Sequence, residues 1–136
     1  MLSERVIGKK AWVTGAAHGI GRASAWALAE AGADVAISDI NEKGLEETAE
    51  YIRKLGRKAL VLPADITKES EIEETINTIV DKWGKLDIAY CNAGTFQDIP
   101  AEDMPLEEFE RVIKVNLTGA FISSRAAGKA MIKQKS

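Results

Sequence analysis

Thr14-Gly15-Ala16-Ala17-His18-Gly19-Ile20-Gly21 stands where the apolar run Ala11-Trp12-Val13 gives way to an alanine-rich helical pattern. In that context the three glycines take distinct roles. Gly15 permits a tight turn, Gly19 lets backbone amides approach an anion with no Cβ in the way, and Gly21 lets a helix pack close to the preceding strand. An anion would then rest on the positive end of that helix. The backbone amides of Ala16, Ala17, His18, Gly19 and Ile20 are expected to converge on one diphosphate. The same glycines also read as a permissive turn, and residues further along decide between the two readings.

Strand-like and helix-like patterns alternate outward from this loop, with no low-complexity linker and no internal repeat. A first strand is expected over about Lys10 to Thr14, followed by a helix with Ile20, Ala23, Ala27, Leu28 and Ala31 on its apolar face, stopped by Gly32. Asp34 to Ser38 reads as a second strand ending at Asp39. Asn41 is placed to cap a helix that buries Leu45, Ala49, Ile52 and Leu55 and ends at Gly56. A third strand, Lys58 to Leu62, leads to a helix capped by Thr67, with Ile72, Ile76, Ile79, Val80 and Trp83 on one face and Gly84 at its end. The fourth strand is Leu86 to Cys91, and a loop containing Pro100 follows it. From Pro105 a long helix carries Phe109, Val112, Ile113, Leu117, Ala120 and Phe121 as its stripe. Continuous apolar strands separated by amphipathic helices imply a parallel sheet covered on both faces. The expected fold class is α/β, a Rossmann-type doubly wound parallel sheet of four βα units, whose ligand crevice lies beyond the carboxyl ends of the strands.

The 136 residues, 46% hydrophobic, suit one domain with a real core, and two would be cramped. The 18 basic and 21 acidic residues are interspersed and sum to a net charge of -3, which gives no footprint for nucleic acid or an anionic membrane. The start, Met1-Leu2-Ser3-Glu4-Arg5-Val6-Ile7, breaks with charges before any apolar stretch long enough for a signal peptide or membrane span, so a cytoplasmic location is expected. Cys91 is the single cysteine and His18 the single histidine, so neither an internal disulfide nor a zinc site is expected. Cys91 reads as an inert thiol within an apolar strand.

Asp39 follows Gly21 at close to the spacing at which a carboxylate reaches a ribose 2′-hydroxyl in a dinucleotide site, although a turn residue beside Asn41 is the plain alternative. A carboxylate about 4 Å from a 2′-phosphate is disfavoured by roughly 1 to 4 kcal/mol per unit charge. Ile40 and Asn41 supply no cation to reverse this. NAD is therefore expected over NADP. Asp65 reads either as a cap beside Thr67 or as part of the binding rim. Asn92 and Gly94 form a strand-end turn that borders the same crevice. Asn116 falls on an apolar stripe where its amide needs a partner, and a bond to its own helix would serve.

Taken together, these residues resemble the N-terminal half of the classical short-chain dehydrogenase/reductase family, and the resemblance covers essentially the whole chain. Thr14, Gly15, Gly19 and Gly21 match its Thr-Gly-x-x-x-Gly-x-Gly motif, and Asp39 its acidic residue after the second strand. Asp65, with Ile66 beside it, matches the Asp that borders the adenine pocket. Asn92-Ala93-Gly94 matches the Asn-Ala-Gly turn, and Asn116 in Val115-Asn116-Leu117 the Asn of the fourth helix. The resemblance implies an NAD-dependent oxidoreductase that interconverts a secondary alcohol and a ketone. Gly15, Gly19 and Gly21, with Ala17, His18 and Ile20 between them, would hold the pyrophosphate and Asp39, beside Ile40, the adenosine ribose. Asp65 and Ile66 would line the adenine pocket, and Asn92, Ala93 and Gly94 the nicotinamide-side ribose. It further implies that the fourth helix is interrupted so that Asn116 holds a water in a proton relay, and that the whole protein is a homotetramer or homodimer built through the family's fourth and fifth helices.

The family's catalytic Ser and Tyr-x-x-x-Lys have no counterpart here. Tyr51 is followed four residues later by Leu55 and Tyr90 by Gly94, and Ser136 trails a basic helix end. Lowering a phenol's pKa beside an ammonium group is what allows alcohol deprotonation near neutral pH, and Asn116 cannot replace it. The fourth strand and the stripe of the fourth helix are also expected to be left uncovered. The chain is accordingly expected to be the incomplete dinucleotide-binding domain, residues 1–136, of a longer enzyme. The alternative is a non-catalytic dinucleotide-binding module acting as a sensor or partner subunit.

Overall fold

The structure, a computed structural model, describes residues 5–135. Met1 to Glu4, which enter the reading of the N-terminus, and Ser136 lie outside the described residues. Four parallel strands, β1 (Lys10–Thr14), β2 (Asp34–Ser38), β3 (Ala59–Val61) and β4 (Ile88–Tyr90), form a sheet in the order β3-β2-β1-β4. The two central strands are buried almost throughout because both faces are covered. Ala11, Val13, Val35 and Ile37 face α1 (Gly19–Glu30) and α2 (Glu42–Lys54), while Trp12 and Ala36 face α3 (Glu69–Trp83) and α5 (Ala120–Gln134). This alternation is the period-two signature of a strand with a core on each side. β1 is flanked by β2 on one side and β4 on the other, so the chain changes direction there. A crevice opens beyond the strand ends at that switch point.

The pairing register runs Lys10 to Asp34 through Thr14 to Ser38, and both central strands match their expected ends. The edge strands are shorter than hydropathy implies. β3 covers three residues of the expected Lys58 to Leu62, and β4 three of Leu86 to Cys91. Each has a single neighbour, and side chains take over at the strand starts. The Lys10 amide donates to Asp87 Oδ2 at 2.8 Å, while Gln134 bonds both backbone groups of Leu86.

The helices differ from expectation in inward face, end or cap. In α1 the buried positions are Gly21, Ala25 and Ala29, whereas Ile20 is 72% exposed and Ala23 is exposed. The smallest side chains lie against the sheet, which lets the helix approach closely, and Ile20 turns toward the crevice. In α2, Asn41 Oδ1 accepts from the Gly44 amide at 3.0 Å as a cap, but Leu55 lies beyond the helix and is exposed. Thr67 does not cap α3, which begins after Lys68; its hydroxyl donates to Asp65 instead. The helix expected from Pro105 is one rod in three parts: α4 (Leu106–Ile113), a π-helical segment (Lys114–Gly119) and α5. Its inward face is Gly119, Ile122, Ser123 and Ala127. The stripe of Phe109, Ile113, Leu117 and Phe121 is exposed, and β4 is a sheet edge, as expected.

Candidate functional site

β1 ends at Thr14, and the chain turns away from the sheet at Gly15, whose φ of 66° lies in the left-handed region. Gly19 repeats that conformation at φ 58°, and a Cβ built on it meets nothing within 4 Å. Its left-handed backbone favours glycine, and the space above it is open for a ligand to approach. Not every amide of the loop faces that space. Ala16 N–H donates to the Ser38 carbonyl at 3.2 Å, and Ala17 N–H to Asp39 Oδ2 at 3.2 Å. The expected convergence of the amides of Ala16 to Ile20 therefore narrows to His18, Gly19 and Ile20, which find no protein acceptor among the described residues. These amides crown the first turn of α1, where backbone donors and the helix dipole together favour an anion.

Asp39 forms the next part of the rim. Its Oδ1 accepts from Asn41 N–H at 3.1 Å while Oδ2 holds Ala17, so the carboxylate is fixed between the glycine loop and the start of α2. Ile40 beside it is 78% exposed and lines the crevice. Asp65 Oδ1 accepts from Thr67 N–H at 2.9 Å and from its hydroxyl at 2.6 Å. The Thr67 hydroxyl bond outweighs the opposing effect of burial, and with the Thr67 amide and the charges of Lys68 and Lys114 it holds the Asp65 carboxyl below its ordinary range. Asp65 therefore closes a short turn and does not cap α3.

The strand ends are stitched across the switch point. Ala93 N–H donates to Thr14 Oγ1 at 3.0 Å, and Asn92 Nδ2 donates to the Thr14 carbonyl at 3.2 Å. Asn92 thus spends its amide nitrogen on β1, and the backbone of Ala93 and Gly94 forms the crevice wall. Asn116, inside the π-helical segment, makes a reciprocal pair with one residue. Its Oδ1 accepts from Thr95 N–H at 2.7 Å and its Nδ2 donates to the Thr95 carbonyl at 2.8 Å. A bond to its own helix, one expected option, is not formed. The extra residue per turn of a π-helix re-aims side chains, and here it directs Asn116 at the turn after Gly94. Replacing Asn116 by leucine should cost about 1 to 2 kcal/mol in urea unfolding and speed hydrogen exchange at the Thr95 amide. Asn116→Asp, which keeps the acceptor alone, should fall between leucine and the parent.

These groups surround one cavity of about 780 Å³. Gly15, His18 and Ile20 line one end, Asp39, Ile40, Asp65 and Ile66 the side beyond β2 and β3, and Asn92, Ala93, Gly94 and Asn116 the other end. Thr14, Ala17 and Gly21 support it from behind, and Gly19 lies between His18 and Ile20 with open space above it. Sequence reasoning missed Arg111 and Lys114 on the same wall, and Arg22 and Thr48 under the loop. The Arg22 position directly after Gly21 was a legible signal; its partner 26 residues away was not. Among the described residues no three His, Cys, Asp or Glu side chains are grouped to hold a metal ion.

A family model described as short chain dehydrogenase matches residues 9–136. A short-chain dehydrogenase/reductase of Armillaria gallica is 42% identical over 129 residues, covering 93% of this chain and 49% of that protein. The crystal structure of a short-chain type dehydrogenase/reductase from Mycobacterium marinum superposes with a TM-score of 0.93 at 39% identity, over 98% of this chain and 53% of the other. An NAD+-bound xylitol dehydrogenase does so with a TM-score of 0.92 at 37% identity, over 96% and 50%. The chain spans about half the length of the curated relatives it matches.

Proposed function

Because this chain belongs to the short-chain dehydrogenase family, we propose that its crevice binds NAD in preference to NADP, as the cofactor half of an oxidoreductase acting on a secondary alcohol or ketone. The observation that carries this reading is the facing pair of features on one crevice: the unpaired amides of His18, Gly19 and Ile20, and the fixed carboxylate of Asp39. The amides suit a diphosphate; the carboxylate suits a vicinal diol and repels a 2′-phosphate. Gly15 and Gly21 shape the loop under the diphosphate, and Asp65, Ile66 and Ile40 flank the adenine. The backbone of Ala93 and Gly94, held by Asn92, borders the nicotinamide-side ribose. Asn116 is bonded to the turn after Gly94 through Thr95, and the relay water that the resemblance gives it stays part of the proposal. When bound, the nicotinamide donates or accepts the hydride.

The same proposal includes a small alcohol or ketone substrate, a cytoplasmic setting, and a homodimer or homotetramer of the whole protein. The exposed apolar stripe on α4 and α5 supports a covered helix face in that assembly. Among the described residues no helix is long and apolar enough to cross a membrane.

Titration calorimetry tests the cofactor. NAD+ is expected to bind and NADP+ to bind at least about tenfold more weakly, and Asp39→Ser should erase most of that gap. No heat from the folded chain with either nucleotide would overturn the reading.

A further inference from the structure

Beneath the glycine loop, side chains from α1 and α2 grip two successive backbone carbonyls. The buried Thr48 hydroxyl lies 2.7 Å from the Ala16 carbonyl and 3.0 Å from that of Gly44. Arg22 donates through Nε to Thr48 Oγ1 at 3.0 Å, and through Nη2 to the Ala17 carbonyl, the Gly44 carbonyl at 3.0 Å and Glu47 at 3.0 Å. The guanidinium also lies over the Trp26 ring, 5.7 Å from its centroid, which fixes its plane. None of these atoms touches the crevice.

A trans peptide points its C=O and N–H in opposite directions, and the described chain contains no cis bond. The peptide whose carbonyl Arg22 pulls down toward α2 is the one whose N–H, that of His18, points up into the crevice. The peptide before it has its carbonyl on Thr48 and its N–H, that of Ala17, on Asp39 Oδ2. We infer that Arg22 and Thr48 are positioning residues for the cofactor: Arg22 aims the His18 amide at the diphosphate, and Thr48 sets the Asp39 carboxylate through the Ala16–Ala17 peptide.

Gly44 belongs to the same device. A Cβ there would lie 2.7 Å from the Ala17 Cβ and 2.8 Å from the Ala17 carbonyl oxygen, so α2 reaches the loop closely enough for these bonds only at a glycine. The two arms act on different parts of a nucleotide, and that separates positioning from general support of the fold.

This inference rests on the dinucleotide reading, and its test distinguishes the two. Affinities for NAD+, ADP and adenosine are measured by calorimetry and by titration of the His18, Gly19 and Ile20 amide resonances. Arg22→Met is expected to weaken NAD+ and ADP about tenfold and leave adenosine unchanged, with a shifted His18 amide resonance in the free chain, while Arg22→Lys restores most of the affinity. Thr48→Val, nearly isosteric, is expected to weaken adenosine and ADP alike, and Thr48→Ser to bind as the parent does. Where Arg22→Met does not fold, as judged by its melting curve, Arg22→Lys and the Thr48 pair carry the test. Folded variants that bind ADP and adenosine as the parent does would overturn the inference while leaving the dinucleotide reading standing. A parent chain that binds no nucleotide would remove both.

Discussion

Alanine at Gly21 is expected to destabilise the chain by about 3 kcal/mol or more and to abolish measurable nucleotide binding. The cause is contact, since Gly21 lies within α1 and has no left-handed backbone. Its Cβ would lie 2.1 Å from the Gly15 carbonyl oxygen, 2.7 Å from the carbon of that carbonyl and 2.6 Å from Asn92 Nδ2. Two of these atoms are backbone and the third is the donor that stitches β4 to β1, so none yields at the far end of a flexible side chain. Either α1 lifts from the sheet, opening the core at Ala25 and Ala29, or the Gly15 turn moves and carries the phosphate-facing amides with it. Gly19→Asn provides the contrast. That site has open space and a φ that asparagine tolerates, so stability should change by less than about 1 kcal/mol while diphosphate affinity falls because the side chain enters the crevice. Urea unfolding and calorimetry on both variants check the pair. A Gly21→Ala chain within 1 kcal/mol of the parent would contradict the packing described here.

What could be read from the residues follows the density of local signal. The ends of β1 and β2 are legible because both strands are apolar along their length and paired on both sides. β3 and β4 are shorter than hydropathy implies: Lys58, Leu62 and Asp87 still bond the backbone of β2 and β1, but at the strand starts the side chains of Asp34, Asp87 and Gln134 take the amides of Lys58, Lys10 and Leu86 and interrupt the repeating ladder. Alanine-rich α1 offers little contrast between faces, and placing Ile20 in the core was reasonable on hydropathy alone. It fails because an isoleucine would hold the helix off the sheet where Gly21, Ala25 and Ala29 let it approach. The site residues were legible because glycine, aspartate and asparagine at strand ends recur at fixed offsets along one chain. The partners of Asn116 and the grip of Arg22 and Thr48 were not. Each is a hydrogen bond to a backbone group 5 to 32 residues away, and backbone groups carry no mark in a sequence.

At the opposite end of the sheet from the crevice, Asp34 should be the most costly charge to remove. Its carboxylate, 4% exposed, accepts from Lys10 Nζ at 2.5 Å, Arg57 Nη2 at 2.8 Å and the Lys58 amide at 2.9 Å, tying together the starts of β1, β2 and β3. Asp34→Ala leaves two cations and a backbone N–H without their acceptor. Breaking a buried pair from one side costs about 3 to 5 kcal/mol, and because Lys10 and Arg57 retain some access to water the lower end, about 3 kcal/mol, is expected. Burial pushes the Asp34 carboxyl up, yet the Lys10 bond, the Lys58 amide and the charges of Lys10 and Arg57 together hold it below its ordinary value of 3.8. In the acid range the unfolded chain therefore binds a proton that the folded chain refuses, and stability rises with pH. The contribution is complete above the ordinary value, begins to fall as pH descends past it, and is lost once pH passes the lower folded value. Asp87 is held down in the same sense, with burial opposed by the Lys10 amide and Lys85, so the acid limb is steep in the parent. Melting temperatures from pH 2 to pH 7 should show a shallower acid limb in Asp34→Asn, since one of the depressed carboxyls is gone. An Asp34→Asn profile parallel to the parent's down to pH 2 would mean that this carboxylate is not held by Lys10 and Arg57.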